Sequence, residues 1–242
     1  MGSDDRYHDL AKAIRRRLPA PGRPLLVGIS GPVAVGKSTT ATILEKLLGD
    51  DGVGVDVLCT DCFLHPNAVL AARNLTMRKG YPESFDTHTM ERCLVQVRRG
   101  EMPVRVPIYS HTVYDTVPGA TKPIGPAEVV VIEGVNVLQR PAIDYLDLSI
   151  YVDADEGDVR RWFVDRFLAL CAVADAGERS FYDMFADLDD EQRRAVAESA
   201  WDSINGPNVR DHIVPGRSQA TFVVRKAADH AVIAITGPME RG

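Results

Sequence analysis

Residues 31–38, Gly31-Pro32-Val33-Ala34-Val35-Gly36-Lys37-Ser38, match the pattern G-x-x-x-x-G-K-[ST] of a phosphate-binding loop. The segments on either side suit that motif. Residues 25–30 form a short apolar run, which predicts a buried parallel strand, and residues 39–48 carry apolar side chains at helical spacing. A strand, a glycine-rich turn and a helix in this order predict a site for a nucleoside triphosphate.

Each residue type in this loop has a chemical role. Glycines let backbone N–H groups close around phosphate oxygens, and the N-terminus of the following helix adds a positive dipole end. We expect Lys37 to reach the β- and γ-phosphates and Ser38 to hold Mg²⁺. The residues expected to contact the nucleotide here are Gly31, Val33, Ala34, Val35, Gly36, Lys37, Ser38 and Thr39.

Composition excludes several classes of partner. The chain has 242 residues, of which 45% are hydrophobic and 26% charged, as in an ordinary globular domain. Its net charge of −6, without a long basic run, argues against a nucleic-acid partner. No apolar segment approaches the roughly 20 residues of a membrane helix, and the N-terminus lacks a signal-peptide pattern. We therefore expect a cytoplasmic protein that binds neither nucleic acid nor membrane.

Apolar periodicity predicts a single α/β domain over residues 1–242, with buried parallel strands. Further strands are predicted at 53–60, 129–132, 148–153 and 221–224, and helices at 7–18, 89–99 and 159–170. Residues 171–205 also read as helical, and Asn205-Gly206-Pro207 is expected to stop that run. Within the domain we distinguish an N-terminal helix and linker (1–24), an acceptor-binding insertion (60–126) and a helical lid (156–210).

Two acidic residues follow predicted strands. Asp61 comes after the strand at 53–60, and Glu133 ends the most apolar run of the chain. Because ligands bind beyond the carboxyl ends of parallel strands, Asp61 is a candidate general base for a substrate hydroxyl. An aspartate that caps a turn or a helix is an equally good interpretation of Asp61 at this point.

Two other segments suggest substrate contacts. Residues 107–114 (P-I-Y-S-H-T-V-Y), which we expect to form a loop, place Tyr109 and His111 close together, as in a polar small-molecule pocket. Arg166 flanks the apolar stripe of the helix predicted at 159–170. It is either a surface arginine or a lid arginine that stabilises charge on a transferred phosphoryl group.

The four cysteines do not form a disulfide framework in a chain of this length. Cys59 and Cys62 form a C-x-x-C pair, but without a second pair they do not make a zinc site. We interpret them as reduced thiols. A reversible disulfide that brackets Asp61 is the alternative hypothesis.

Several longer strings together resemble the type I (bacterial, P-loop) pantothenate kinases, within the group that also holds uridine kinases and phosphoribulokinases. The resemblance extends from residue 25 to about residue 232. The strings are G-P-V-A-V-G-K-S-T-T (31–40), T-D-C-F-L-H-P-N (60–67), R-K-G-Y-P-E-S-F-D (78–86), P-I-Y-S-H-T-V-Y-D (107–115), I-E-G-V-N-V-L-Q (132–139), S-I-Y-V-D-A (149–154) and D-H-A-V (229–232).

The resemblance implies transfer of a phosphoryl group from ATP, with Mg²⁺, to pantothenate. The product is 4'-phosphopantothenate, which is formed in the first step of coenzyme A biosynthesis. Asp61 would be the base, Glu133 would support the metal or its water, and Arg166 would be the lid arginine. Tyr109, His111 and Asn205 would contact the acceptor, and His230 would stack on adenine. The resemblance also implies a parallel sheet of the P-loop NTPase type with helices on both faces, and a homodimer.

The chain departs from the family pattern in the acceptor pocket and lacks most of the family's N-terminal extension. Phe163, at an acceptor-contacting position, stands where the family has tyrosine. Phe181 and Phe185 also replace tyrosines, Cys62 replaces a glycine, and Thr42 and Cys171 replace basic residues. A lost hydroxyl partner costs about 1–3 kcal/mol, enough to move specificity tenfold. Two alternatives therefore stay open: a kinase for another small hydroxylated metabolite or a nucleoside, and a nucleotide-binding switch without transfer.

Overall fold

A six-stranded sheet forms the centre of the computed structural model, which describes residues 3–174 and 180–239. The strands of the protein are β1 (Leu25–Ser30), β2 (Val55–Cys59), β3 (Val104–Ser110), β4 (Asp115–Ile124), β5 (Val129–Glu133), β6 (Leu148–Asp153), β7 (Phe222–Lys226) and β8 (Val232–Thr236). The sheet has the order β2-β5-β1-β6-β7-β8, in which the first five strands are parallel and β8 is antiparallel to β7. The remaining strands, β3 and β4, form a separate antiparallel ribbon.

Helices precede β1 and lie in most of the connections between the parallel strands. They are α1 (Ser3–Arg15), α2 (Lys37–Asp50), α3 (Asn67–Ala72), α4 (Thr87–Arg98), α5 (Glu156–Ala174), α6 (Asp190–Ala200) and α7 (Gly206–Asn208). Short 3-10 turns occur at Thr60–Phe63, Thr76–Arg78, Pro82–Ser84, Ala142–Tyr145, Phe181–Phe185 and Val214–Gln219, and π-helical turns at Trp201–Asn205 and Val209–Ile213. The predicted helices differ from these bounds by a few residues at their ends.

The sheet is buried on both faces, which explains the continuous apolar character of its strands. Successive residues of a strand point to opposite faces. In β1, Val27 packs in the core that contains α1 and α2, whereas Leu26 packs in the core that contains α4 and the ribbon. In β5, Val131 and Ile132 divide in the same way. The predicted α/β class, with helices on both faces of a largely parallel sheet, is confirmed.

The prediction of a loop at residues 107–114 is wrong in part, because residues 107–110 belong to β3. The ribbon contains prolines at positions 107, 118 and 123. A two-stranded ribbon consists only of edge strands, and an edge strand tolerates proline. Val104 and Val106 anchor the ribbon in the core beside α4.

The C-terminal part departs from prediction in two places. The helical run does not stop at Asn205-Gly206-Pro207. Pro207 lies in the first turn of a helical segment, where a backbone N–H would have no partner within the helix, so proline is tolerated. The sequence analysis also missed β8, which adds an antiparallel edge to the sheet. Part of the predicted helical run, residues 175–179, lies outside the described residues.

Candidate active site

The phosphate-binding loop lies between β1 and α2, as the motif predicts. Gly36 has φ 91°, in the left-handed region that favours glycine, and helix α2 begins at the next residue without a side-chain cap. Thr40 N–H donates to the Gly36 carbonyl, so it is the N–H groups of residues 37–39 that lack partners within the helix. Such an uncapped N-terminus is suited to an anion.

Lys37 lies inside this loop. Its Nζ donates a hydrogen bond to the carbonyl of Pro32 at 2.9 Å. Burial lowers the pKa of Lys37, and the carboxylates of Glu133 and Asp61 oppose that shift. The Lys37 ammonium is thus held against the backbone of the loop, near the carboxylates of Glu133 and Asp61.

Ser38 and Glu133, the two predicted metal ligands, are in direct contact. The Ser38 hydroxyl donates to Oε1 of Glu133 at 3.0 Å, and Glu133 is buried at the end of β5. The parallel register aligns Glu133 with Ile29 of β1 and Cys59 of β2, so the ends of three strands meet here. Two adjacent oxygen donors fit a hard divalent cation such as Mg²⁺.

Asp61 lies in the first turn after β2, at the same edge of the sheet. Burial raises the pKa of Asp61, nearby His111 opposes this and Glu133 adds to it. The Nε2 atom of His111 lies 4.0 Å from Oδ2 of Asp61. In the described part of the chain no turn N–H donates to the Asp61 carboxylate, and the turn has no side-chain cap, so the capping interpretation has no support.

A cluster of aromatic rings, which we call the ring cluster, lies beside Asp61 where the ribbon meets the lid. Its members are Tyr109, His111, Tyr114, Phe167, Phe181, Tyr182 and Phe185. The rings of Tyr114 and Phe181 lie 4.6 Å apart, and the N–H of Phe181 donates to the carbonyl of Thr112 at 2.8 Å. The lid is therefore attached to the ribbon in the same region as the candidate base.

Two residues of this region, Lys79 and Tyr182, had no role predicted from the sequence, and Tyr114 had one only as part of the segment 107–114. The Lys79 Nζ donates to Oδ1 of Asn67 at 2.7 Å and lies 4.0 Å from the centre of the Tyr114 ring. Tyr114 and Tyr182 have phenol groups close enough to influence each other, and burial raises the pKa of Tyr114 to about 12. Lys79 and Tyr114 stand in strings that were quoted for the resemblance, whereas no sequence signal marked Tyr182.

Phe163 and Asn205, two predicted acceptor contacts, lie beside Trp201. The Phe163 ring is 5.7 Å from that of Trp201, outside the ring cluster. Asn205 ends a π-helical turn, and its amide donates to the carbonyl of Ala200 at 3.3 Å. The Tyr81 hydroxyl donates to the carbonyl of Ile204 and thereby ties this turn to the 78–84 segment.

Arg166 is exposed on α5, and its positive charge reaches the site. It acts on the titration of Lys37, Asp61 and Tyr114. Among the described residues no carboxylate forms an ion pair with Arg166. A guanidinium in this situation is available to a ligand.

His230 lies on the turn between β7 and β8. Its ring stacks on that of Trp162 with 3.8 Å between centroids, and the Trp162 indole donates to the carbonyl of Ala228. The imidazole is exposed, so one face remains open for a stacking partner. Burial lowers the pKa of His230 and favours the neutral ring.

All four cysteines are free thiols in the structure. Burial raises the pKa of Cys59 and of Cys62, which disfavours the thiolate that disulfide exchange requires. Across residues 3–174 and 180–239, no cluster of three His, Cys, Asp or Glu side chains could hold a metal ion. None of the helices described there is long and apolar enough to cross a membrane.

The similarity of this chain to known proteins covers most of its length and not only the loop motif. Residues 26–162 match the model of the phosphoribulokinase/uridine kinase family. A pantothenate kinase of Sorangium cellulosum is 44% identical over 226 residues, covering 90% of this chain and 73% of that protein. A pantothenate kinase of Myxococcus xanthus is 45% identical over 222 residues, covering 86% and 70%. D-glycerate 3-kinase from Cryptococcus neoformans superposes with a TM-score of 0.65 and covers 97% of each chain, but at 14% identity it supports the fold alone.

Proposed function

The chain belongs to the phosphoribulokinase/uridine kinase family and, within it, to the pantothenate kinases, and on that premise we propose how its site transfers the γ-phosphoryl group of ATP to pantothenate. The observation that carries the proposal is the convergence at one sheet edge. The phosphate loop, the Ser38–Glu133 pair and Asp61 meet where β1, β2 and β5 end. Nucleotide-binding groups and a candidate base thus share one space.

In this mechanism the protein positions the reactants and stabilises charge. Asp61 accepts the proton of the pantothenate hydroxyl as the oxygen bonds to the γ-phosphorus and ADP leaves. Lys37 and Arg166 stabilise the charge that spreads over the transferred group. The resulting product is 4'-phosphopantothenate.

Ser38 and Glu133 are assigned to Mg²⁺, Glu133 either directly or through a water molecule. The support is their contact at 3.0 Å and the preference of Mg²⁺ for oxygen ligands. When bound, Mg²⁺ would neutralise negative charge on the β- and γ-phosphate oxygens. Adenine is assigned to the open face of His230, because the other face is already covered by Trp162.

The acceptor is assigned to the space between Asp61, the ribbon and the lid. Residues 60–126 supply Tyr109, His111 and Lys79, and residues 156–210 supply Arg166 and the lid part of the ring cluster. Phe163 and Asn205, which lie beside Trp201, stay predicted contacts of the acceptor. A homodimer and a cytoplasmic location remain proposals that rest on the sequence alone.

ADP release with Mg-ATP tests the function directly. We expect pantothenate to stimulate release strongly, whereas nucleosides and small hydroxy acids leave it at the basal rate. Stimulation by a nucleoside alone would mean that the pocket serves another acceptor. Binding of ATP without stimulation by any acceptor would support the nucleotide switch instead.

Lys79 makes the reaction dependent on pH. Burial lowers the pKa of Lys79 to about 8, opposed by Asp115 and Asp61. We assign the Lys79 ammonium to the pantothenate carboxylate, because it is the cation that lies among the rings of Tyr109 and Tyr114. The ammonium keeps its proton below about pH 8 and loses it above, and its attraction for that carboxylate is then lost. We expect kcat/KM for pantothenate to fall as the pH rises through 8, while the KM for ATP stays constant.

Steady-state kinetics between pH 6.5 and 9.5 measure this effect, with Lys79→Arg as the matched variant. Arginine stays protonated throughout the range, so the alkaline fall should disappear. An identical fall in Lys79→Arg would assign the titration to another group.

A further inference from the structure

Lys226, the last residue of β7, lies against the phosphate-binding loop although it is 189 positions after Lys37 in the sequence (226 − 37). Only 5% of its surface is exposed. The Nζ atom of Lys226 lies next to the backbone of Gly36, because a Cβ atom added to Gly36 would be only 2.5 Å from this Nζ. The ammonium group therefore faces the backbone that is expected to enclose phosphate.

Lys226 has no counterion within the described residues. Neither an ion pair nor a side-chain hydrogen bond joins it to another group there. The adjacent Arg225 shows the contrast, since it pairs with Asp153 at 3.0 Å and with Asp155 at 2.7 Å. The charge that acts on Lys226 is that of Lys37, which is also positive, and burial together with this repulsion lowers the pKa of Lys226.

A largely buried cation without a counterion is unfavourable, because it has lost much of its hydration and gained no compensating charge. The unpaired N–H groups at the start of α2 lie in the same loop and also favour an anion. A phosphate group in the loop would give Lys226 a counterion and would accept hydrogen bonds from these N–H groups. The end of β7, where Lys226 lies, is thus suited to the phosphate-bound state of the protein.

We propose that Lys226 is a ligand of the phosphate chain of the nucleotide, a second lysine beside Lys37 that strand β7 supplies. This inference rests on the proposed nucleotide-binding function and extends it to a residue outside the loop motif. Its charge favours nucleotides that carry a di- or triphosphate over the uncharged nucleoside. No chemical step is added, because Lys226 acts by binding alone.

Lys226→Met tests the proposal, since methionine has similar length and no charge. We expect the Kd for ADP to rise about 10- to 100-fold, the effect of losing one charged hydrogen bond to phosphate. Competition by adenosine, which carries no phosphate, should be unchanged. The melting temperature without nucleotide should stay the same or rise, because an unpaired buried charge has been removed.

The combination of weaker ADP binding with equal or higher stability separates a ligand from a structural lysine. Lys46→Met, at an exposed position of α2, is the matched control and should change neither quantity. Unchanged ADP affinity in Lys226→Met would overturn the inference. A lower melting temperature together with equal losses of adenosine and ADP binding would also overturn it, because these results would indicate a structural lysine. Failure of the wild-type protein to bind ADP would instead contradict the proposed function itself.

Discussion

Replacement of Asp61 with asparagine is expected to lower kcat by about 10²–10⁴-fold, the usual contribution of a general base, and to leave the affinity for ATP near normal. Asparagine keeps the size of the side chain but cannot take the proton of the acceptor hydroxyl. The loop contacts of Lys37 and Ser38 do not involve Asp61, so nucleotide binding should persist. Single-turnover phosphorylation of pantothenate, measured beside equilibrium ATP binding, gives both quantities.

The pH profile provides a second measurement of Asp61. Burial raises the pKa of Asp61, so the group takes up its proton at a higher pH than an ordinary aspartate. The acidic fall of kcat in the wild-type enzyme should therefore lie at a higher pH than an ordinary aspartate would give, and it should be absent in Asp61→Asn. Asp144→Asn, at a partly exposed residue paired with Arg140, is the control and should behave as wild type. Near-normal turnover in Asp61→Asn would mean that Asp61 is only a turn residue.

Replacement of Arg166 with glutamine is expected to lower kcat by about 10³-fold, in the range found when an arginine that stabilises a phosphoryl-transfer transition state is lost. The charge of Arg166 reaches Asp61 and Lys37, and no carboxylate of the described chain neutralises it. Its interaction should strengthen as charge develops on the transferred group, so both KM values should change much less than kcat.

Arg160 on the same helix is the matched control for this experiment. Its guanidinium pairs with Glu198 and Asp202, on α6 and the turn that follows, at 3.6 and 3.4 Å. Because these exposed pairs contribute little free energy, Arg160→Gln should keep kcat within about twofold of wild type. Equal losses in the two variants would show that α5 needs its arginines for structure and not for charge at the site.

The phosphate loop of the proposed nucleotide site was predictable from sequence because its residues are contiguous. The strand, the loop from Gly31 to Ser38 and the helix N-terminus are local features, and each has its own chemical signature. The rule that ligands bind beyond the ends of parallel strands also placed Asp61 and Glu133 at the correct edge. The contact between Ser38 and Glu133, which are 95 residues apart, follows from the parallel register of β1 and β5.

The acceptor half was less predictable because its residues come together only through packing. The ribbon of β3 and β4 was not predicted, and its prolines are tolerated because both are edge strands. Tyr114 meets Phe181 across 67 residues (181 − 114), and neither periodicity nor a turn signal specifies that pair. The predicted Tyr109 and His111 proved to be neighbours of Asp61, but Lys79 and Tyr182 were recognised only from their contacts.

The family, the α/β class and the chemistry of phosphate binding could be predicted from the sequence, since each depends on residue type and short-range spacing. Which distant side chains share the site depends on how the whole chain packs. Lys226 illustrates the difference, because a lysine at the end of a strand has no distinctive pattern. Its inferred role follows from its burial without a counterion, and that burial depends on all the elements that pack around Lys226.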